Sequence, residues 1–186
     1  MSDGGEELPV ARYSPVRLRD GVTASALIIS GRRGDRGLDT RLVEAKLKMG
    51  MLYPEDMPQL AWDALESGFN GRSLCVLTGL YKPTGRDTDP LLPGLKVELG
   101  LNEIDERTAC LRLAQDFARE ILNRKLDPIS NLARFAHLWR DGGYPIELSG
   151  LGQLEDEICY SAAIIRQDFL EEVLVELNAL AVLQFE

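Results

Sequence analysis

The chain has 186 residues, of which 45% are hydrophobic and 27% are charged, and its formal net charge is −9 at pH 7. This composition is typical of a globular protein with one well-buried core, so it argues against a disordered or fibrous chain. Residues 38–186 carry 15 basic and 25 acidic side chains, and such an excess of negative charge repels phosphate backbones. We therefore expect the main domain not to bind nucleic acid.

The N-terminal sequence MSDGGEELPV is polar and acidic, unlike the basic and then apolar start of a secretory signal. The longest apolar runs are short and interrupted by charge. We therefore predict a cytoplasmic protein without a membrane partner. The cysteines Cys75, Cys110 and Cys159 are odd in number and widely spaced, which indicates small core residues rather than a disulfide framework or a zinc site.

The N-terminal part of the chain is predicted to lie outside the main domain. Residues 1–14 contain few large apolar groups and are expected to be mobile. Residues 15–37 begin with two apolar stretches around an Asp-Gly pair, which favours a small β-hairpin between Pro15 and Ser30. They end in the sequence GRRGDRG, interpreted as a solvated linker, with an arm that contacts an acidic ligand or phosphate as the alternative. Residues 38–186 are predicted to form a single helical domain.

The main domain begins with short segments whose apolar residues recur at helical spacing. The predicted elements are helices at Leu38–Met49 and Pro54–Ser67, a compact apolar turn or helix at Ser73–Leu80, and a helix at about Leu91–Leu99. Glycines that follow them supply the ends. The sequence KPTGRDTDP before the last of these is predicted to be a loop, and Pro93 is expected in the first turn of the helix after it.

The stretch Asp105–Asp127, DERTACLRLAQDFAREILNRKLD, has the clearest helical period in the chain. One side of this helix would carry Cys110, Leu113, Ala114, Phe117, Ala118, Ile121 and Leu122. Asp105 is a good N-cap, and Asp127 before Pro128 supplies the end. A helix of this length spans about 30 Å. We therefore predict a mainly α fold, a multi-helix orthogonal bundle around this long central helix.

Three further helical regions follow the central helix. Pro128 opens a helix that runs to about Trp139, and YPIELSGLGQLEDEI is predicted to be a turn and a short helix. Ile164–Gln184 has helical apolar spacing, but its valines favour strand locally. A final strand at Ala181–Phe185 therefore stays open as an alternative.

The single histidine, His137, argues against several kinds of catalytic site. Its helical neighbours are charged, which indicates a surface residue. A di-iron bundle needs two Glu-x-x-His pairs, a Cys-His or Ser-His nucleophile would have to use His137, and no Gly-x-Ser-x-Gly elbow is present. We predict no catalytic, cofactor-binding or metal-binding residue, with catalysis by carboxylates as the remaining alternative.

Two acidic groups near the C-terminal end are the candidate partner-binding residues. They are Glu155, Asp156 and Glu157, and then Asp168, Glu171, Glu172 and Glu176. Their spacing does not match a Ca²⁺ loop, and runs of this kind usually form a solvated face. The functional hypothesis is a docking face for a basic protein, because charge complementarity speeds encounter and selects partners. The residues assigned to it are Glu155, Asp156, Glu157, Glu171 and Glu172.

Four segments together resemble a class of small, uncharacterised bacterial helical proteins. They are LAWDALESGFNGRSLCVLTGL (Leu60–Leu80), LKVELGL (Leu95–Leu101), REILNRKLDPIS (Arg119–Ser130) and GYPIELSGLGQLEDEI (Gly143–Ile158). The four segments lie between Leu60 and Ile158, and the resemblance carries no catalytic residue. Small acidic proteins of similar appearance include immunity proteins that neutralise toxins, and this likeness implies a protein partner.

The leading hypothesis is a non-enzymatic protein–protein interaction domain that binds a basic partner through an acidic face, as an immunity protein or antitoxin does. The alternative is a small-molecule-binding protein or enzyme with a site between helices. That alternative predicts a closed apolar pocket, on the order of a few hundred Å³, with converging polar groups. Exposed apolar surface around Trp62, Trp139 or the last helix would support a homodimer.

Overall fold

The computed structural model describes residues 37–160 and 167–184, and these residues are mainly α-helical. The helices are α1 (Thr40–Lys48), α2 (Met57–Glu66), α3 (Arg72–Thr78), α4 (Gly85–Thr88), α5 (Leu92–Glu98), α6 (Glu106–Arg124), α7 (Leu132–Asp141), α8 (Ser149–Tyr160) and α9 (Gln167–Val182). The prediction of a mainly α protein is confirmed for this part of the chain. The hairpin predicted between Pro15 and Ser30 lies outside the described residues, and the orthogonal packing of the helices stays a prediction.

Short 3₁₀ turns lead into four of the helices. They are Pro54–Asp56 before α2, Asp89–Leu91 before α5, Ile129–Asn131 before α7 and Ile146–Leu148 before α8. Pro93 occupies the first turn of α5, as predicted, where its missing N–H has no intrahelical partner to lose. At α1, Asp39 is the N-cap, and its side chain accepts hydrogen bonds from the backbone N–H groups of Arg41 and Leu42.

The ends of α6 are defined by identifiable caps. The carboxylate of Asp105, the predicted N-cap, accepts a hydrogen bond of 2.6 Å from the backbone N–H of Thr108. This bond satisfies one of the unpaired donors of the first turn. At the other end Lys125 adopts a left-handed conformation with φ of 52°, so the helix ends at Arg124, slightly before the predicted Asp127.

The first hydrophobic core surrounds α6. This helix packs against α1, α7 and α9, and its fully buried side chains include Leu113 and Ala118. Phe135 of α7, Leu151 of α8 and Val173 of α9 complete the same core. Removal of this apolar surface from water is the dominant favourable contribution to folding. The apolar period recognised in the sequence is therefore the buried side of α6.

A second hydrophobic core is formed mainly by α2, α3 and α5. It contains Leu60, Leu74 and Leu95, and no α6 residue is found in it within the described part of the chain. On α1, Val43 belongs to this second core and Ala45 belongs to the first. Neighbouring helical positions point in different directions, so one short helix can contribute to both cores. α1 therefore joins the two.

The prediction of a loop at KPTGRDTDP is wrong from Gly85 to Pro90, because these residues form α4 and most of the 3₁₀ turn Asp89–Leu91. The backbone N–H of Thr84 donates to the carboxylate of Asp87 at 2.8 Å, a reciprocal cap that stabilises a single helical turn. Thr88 at the end of this turn is buried. Local capping and burial therefore prevail over the loop-like composition.

The strand alternative at Ala181–Phe185 is wrong for residues 181–184, because α9 continues to Val182. Side chains of α6 satisfy the last carbonyl groups of α9. Gln115 donates to the carbonyl oxygen of Leu183 at 2.6 Å, and Arg119 donates to that of Ala181 at 3.0 Å. These contacts across the core supply partners for helix-end acceptors, and they prevail over the local strand preference of valine.

The prediction that all three cysteines are core residues is wrong for Cys75, which is exposed. α3 is short, and its buried side is formed by Leu74 and Leu77. Cys110 is buried as predicted, and burial raises the pKa of its thiol to about 11. The side chain of Cys159 lies outside the described residues.

Candidate functional site

The outward side of α9 is a continuous exposed strip, which we call the α9 outer face. It consists of Asp168, Glu171, Glu172, Val175, Asn178, Ala179 and Val182. Steps of three and four residues place these side chains on one side of the helix. The opposite side is buried in the first core, and its residues are Phe169, Val173, Leu177 and Leu180.

The α9 outer face has an acidic half and an apolar half. Asp168 lies in the first turn, where a negative charge is stabilised by the helix dipole. That effect fades beyond the first turn, where Glu171 and Glu172 lie. In the apolar half, Val175 is 65% exposed and Val182 is 76% exposed. Neither the dipole nor core packing therefore accounts for these two glutamates and two valines.

The sequences of α8 and α9 carry an excess of negative charge. Together the two helices contain seven acidic residues and no Lys, Arg or His. α8 packs against α9, so these charges are concentrated on one part of the molecule. Neighbouring like charges repel each other, and a cationic surface bound there would relieve that repulsion.

The five residues predicted to bind a partner are divided between these two helices. Glu171 and Glu172 are exposed on the α9 outer face. On α8, Glu157 is exposed, whereas Glu155 and Asp156 are half-buried. The role of all five in binding stays a prediction.

An open cleft of about 380 Å³ adjoins the α9 outer face, and we call it the α8–α9 cleft. Its lining residues are Ile146, Glu147, Ser149, Gly150, Glu176, Ala179, Leu180 and Leu183. Ala179 belongs to both features, so the cleft and the outer face are continuous. The cleft is open to solvent, whereas the small-molecule hypothesis predicts a closed pocket; that hypothesis stays a prediction.

Two carboxylates lie at this cleft in different states. One oxygen of Glu147 accepts a hydrogen bond of 2.6 Å from Arg107, and its other oxygen is buried without a partner among the described residues. Glu176 has no hydrogen bond or ion pair within residues 37–160 and 167–184. A Cβ atom on Gly150 would lie 2.6 Å from the carboxyl carbon of Glu176. The missing side chain of Gly150 therefore makes room for this carboxylate beside the start of α8.

Sequence reasoning did not assign Val175, Val182 or Ile146 to a surface site. The two valines lie off the buried stripe of α9, at positions where a helix of a soluble protein usually carries polar residues. These two valines are visible in the sequence, but they also favour strand locally, which conceals their place on the surface of a helix. Ile146 is 75% exposed, and its place beside α9 depends on the turn before α8, which the local sequence does not reveal.

Other features of the described residues do not indicate a second site. His137 is exposed, as predicted. No group of three or more His, Cys, Asp or Glu side chains that could hold a metal ion is found in the described ranges. Among the described helices, none has both the length and the apolar character needed to cross a lipid bilayer.

Comparisons with protein-family models, with curated proteins and with solved structures found no match.

Proposed function

We propose that this protein is a non-enzymatic interaction domain that binds a basic protein through the α9 outer face. One observation carries the proposal: the exposed glutamates Glu171 and Glu172 share one side of α9 with the exposed valines Val175 and Val182. A partner segment with basic and apolar residues matches both halves of this face. The resemblance to immunity proteins supports the finer proposal that the partner is a basic toxin, which the bound domain neutralises.

The apolar half contributes affinity, and the acidic half contributes selectivity. Val175 and Val182 would lose most of their exposed surface under a partner, and apolar burial contributes roughly 25 cal/mol per Å². Glu171 and Glu172 would attract a basic surface over distances set by the ionic strength. Binding is therefore expected to weaken as salt is added.

A basic partner fits this face better than a second copy of the chain. Two copies would bring two strongly acidic surfaces together, and like charges across an interface cost free energy and suppress association. A homodimer through the α9 outer face is therefore disfavoured at low salt. Sedimentation of the free protein tests this point, since a stable dimer dissociated by Val175→Asp would contradict the preference for a basic partner.

The direct test is binding of a fluorescein-labelled amphipathic peptide of leucine and arginine, measured by fluorescence anisotropy. Wild-type protein is compared with the double variant Glu171→Lys, Glu172→Lys. We expect the double variant to bind about tenfold more weakly at low salt, because two attractive charges become repulsive. The difference between the proteins should shrink at high salt.

A matched control separates this face from the overall charge. The double variant Glu55→Lys, Glu103→Lys has the same net charge and alters two exposed glutamates outside α8 and α9. It should bind the peptide within about twofold of the wild type. Equal losses in the two double variants would mean that net charge alone attracts the peptide, and the proposed face would be wrong.

A further inference from the structure

The α8–α9 cleft combines an apolar floor with a carboxylate that has no partner in the described part of the chain. Ala179 and Leu180 of α9, and Leu183 just after its end, supply apolar walls. Ile146 supplies an exposed apolar wall from the turn before α8. Glu176 supplies the unpaired negative charge. Among the described residues, none of those that line the cleft is basic. Its lining therefore suits a ligand group with an apolar stem and a cationic end.

We propose that the α8–α9 cleft binds one arginine or lysine side chain of the partner. Arginine and lysine lay their methylene stems along apolar surface while their charged ends reach polar groups. In the cleft the stem would contact Ile146 and Leu180, and the cationic end would pair with the carboxylate of Glu176. This inference rests on the proposed docking at the α9 outer face, because Ala179 connects the two surfaces.

Gly150 is part of this arrangement. Since a Cβ atom at this position would lie 2.6 Å from the Glu176 carboxyl carbon, any larger residue would move that carboxylate. Glu147 has a different role. One of its oxygens already accepts from Arg107, whose positive charge offsets its own, and the other is buried without a partner among the described residues. Glu176 is therefore the residue on which recognition of the cationic end depends.

The test uses N-acetylarginine amide as a small probe and follows backbone amide signals by NMR. We expect the probe to shift the signals of Gly150 and Ala179 in the wild-type protein. The citrulline analogue, which is nearly the same shape but uncharged, should shift them far less. Glu176→Gln should abolish the response to the arginine probe, whereas Glu103→Gln, at an exposed position outside α8 and α9, should leave it unchanged.

The labelled amphipathic peptide provides the second readout. Glu176→Gln should weaken peptide binding by about fivefold or more, and Glu103→Gln should change it by less than about twofold. Unchanged thermal unfolding of both variants shows that the fold is intact.

Three outcomes distinguish the two proposals. A peptide that binds wild-type protein and Glu176→Gln equally, but binds the Glu171→Lys, Glu172→Lys variant weakly, would contradict binding in the cleft and would still support the docking face. No peptide binding to wild type, with the arginine probe still recognised, would overturn the docking face instead. Absence of any response of Gly150 and Ala179 to the arginine probe would overturn the cleft directly.

Discussion

The carboxylate of Glu44 is almost fully buried, and two elements outside its own helix hold it. Asn102 donates its backbone N–H at 2.7 Å, and Arg112 of α6 donates a guanidinium N–H at 2.5 Å. Burial raises the pKa of Glu44, but these hydrogen bonds and the positive charge of Arg112 together lower it below the ordinary value of 4.5. The ionised form is therefore the one that stabilises the packing of α1 against α6.

Replacement of Glu44 by Gln tests this interaction. The variant leaves the guanidinium of Arg112 without its charge partner in a largely buried place, so we expect a loss of about 3 kcal/mol in the free energy of unfolding at neutral pH. Because the folded-state pKa is lowered, the stabilisation by the wild-type carboxylate is fully present above its unfolded value near 4.5 and is lost as pH falls through the folded value. Urea unfolding across pH measures the difference.

The difference in stability between wild type and Glu44→Gln should therefore shrink as the solution is acidified. Glu103→Gln is the control, since Glu103 is exposed and near Asn102 in sequence. It should have little effect at any pH. A difference between wild type and Glu44→Gln that stays constant from neutral pH to acid would show that shape, and not charge, makes Glu44 important.

For single residues, the sequence reveals interactions with neighbouring positions but not interactions with positions far away in the chain. Asp105 could be assigned as an N-cap because its acceptor role is fulfilled by Thr108 three positions later. Glu44 could not be assigned, since its partners Asn102 and Arg112 are 58 and 68 positions away. In the sequence alone, Glu44 is indistinguishable from the other charged residues of an amphipathic helix.

Among the helices, the contact between α7 and α8 depends on a small residue. A Cβ atom on Gly152 would lie 2.2 Å from the ring of Trp139, far closer than atoms can approach. Trp139 also packs edge-on against Tyr144, with ring centroids 5.1 Å apart. The ring therefore has little freedom to move away, and α8 approaches α7 closely only because position 152 is glycine.

Gly152→Ala should accordingly destabilise the protein by about 1–3 kcal/mol, as overpacking of a core does. Gly150→Ala is the matched control in the same helix, because the atoms nearest to its new Cβ belong to the side chain of Glu176, which can move. That change should be nearly neutral, because the cost of moving the Glu176 side chain is offset by the helix propensity of alanine. This propensity exceeds that of glycine by about 1 kcal/mol. Urea unfolding gives the stabilities, and near-ultraviolet circular dichroism reports on Trp139. Equal losses in the two variants would contradict close packing at Gly152.

The helices show which structural signals are readable from sequence. α2 and α6 were predicted from apolar spacing and their end residues, both of which act within a few positions. α4 was missed because its cap between Thr84 and Asp87 stabilises only one turn within a loop-like composition. The C-terminal end of α9 was ambiguous because its carbonyl partners lie on α6. Interactions across the core cannot be recognised from the local sequence.

For the whole molecule, composition predicted a folded acidic domain, and the structure shows where the charge and the apolar surface lie. The acidic runs near the C-terminal end could be recognised in the sequence. Their placement beside Val175, Val182 and the α8–α9 cleft could not, because it depends on which side of α9 is buried. The division into two cores, joined by α1, likewise follows from packing rather than from any single segment.

The central claim is that α9 presents its outer face to a basic partner. NMR mapping of amide chemical shifts, with the leucine–arginine peptide added to uniformly labelled protein, tests it most directly. The claim predicts that the largest shifts lie in residues 168–183 and around Gly150, and that added salt reverses them. Shifts centred on α2, α3 and α5, or spread evenly over all acidic residues, would contradict it.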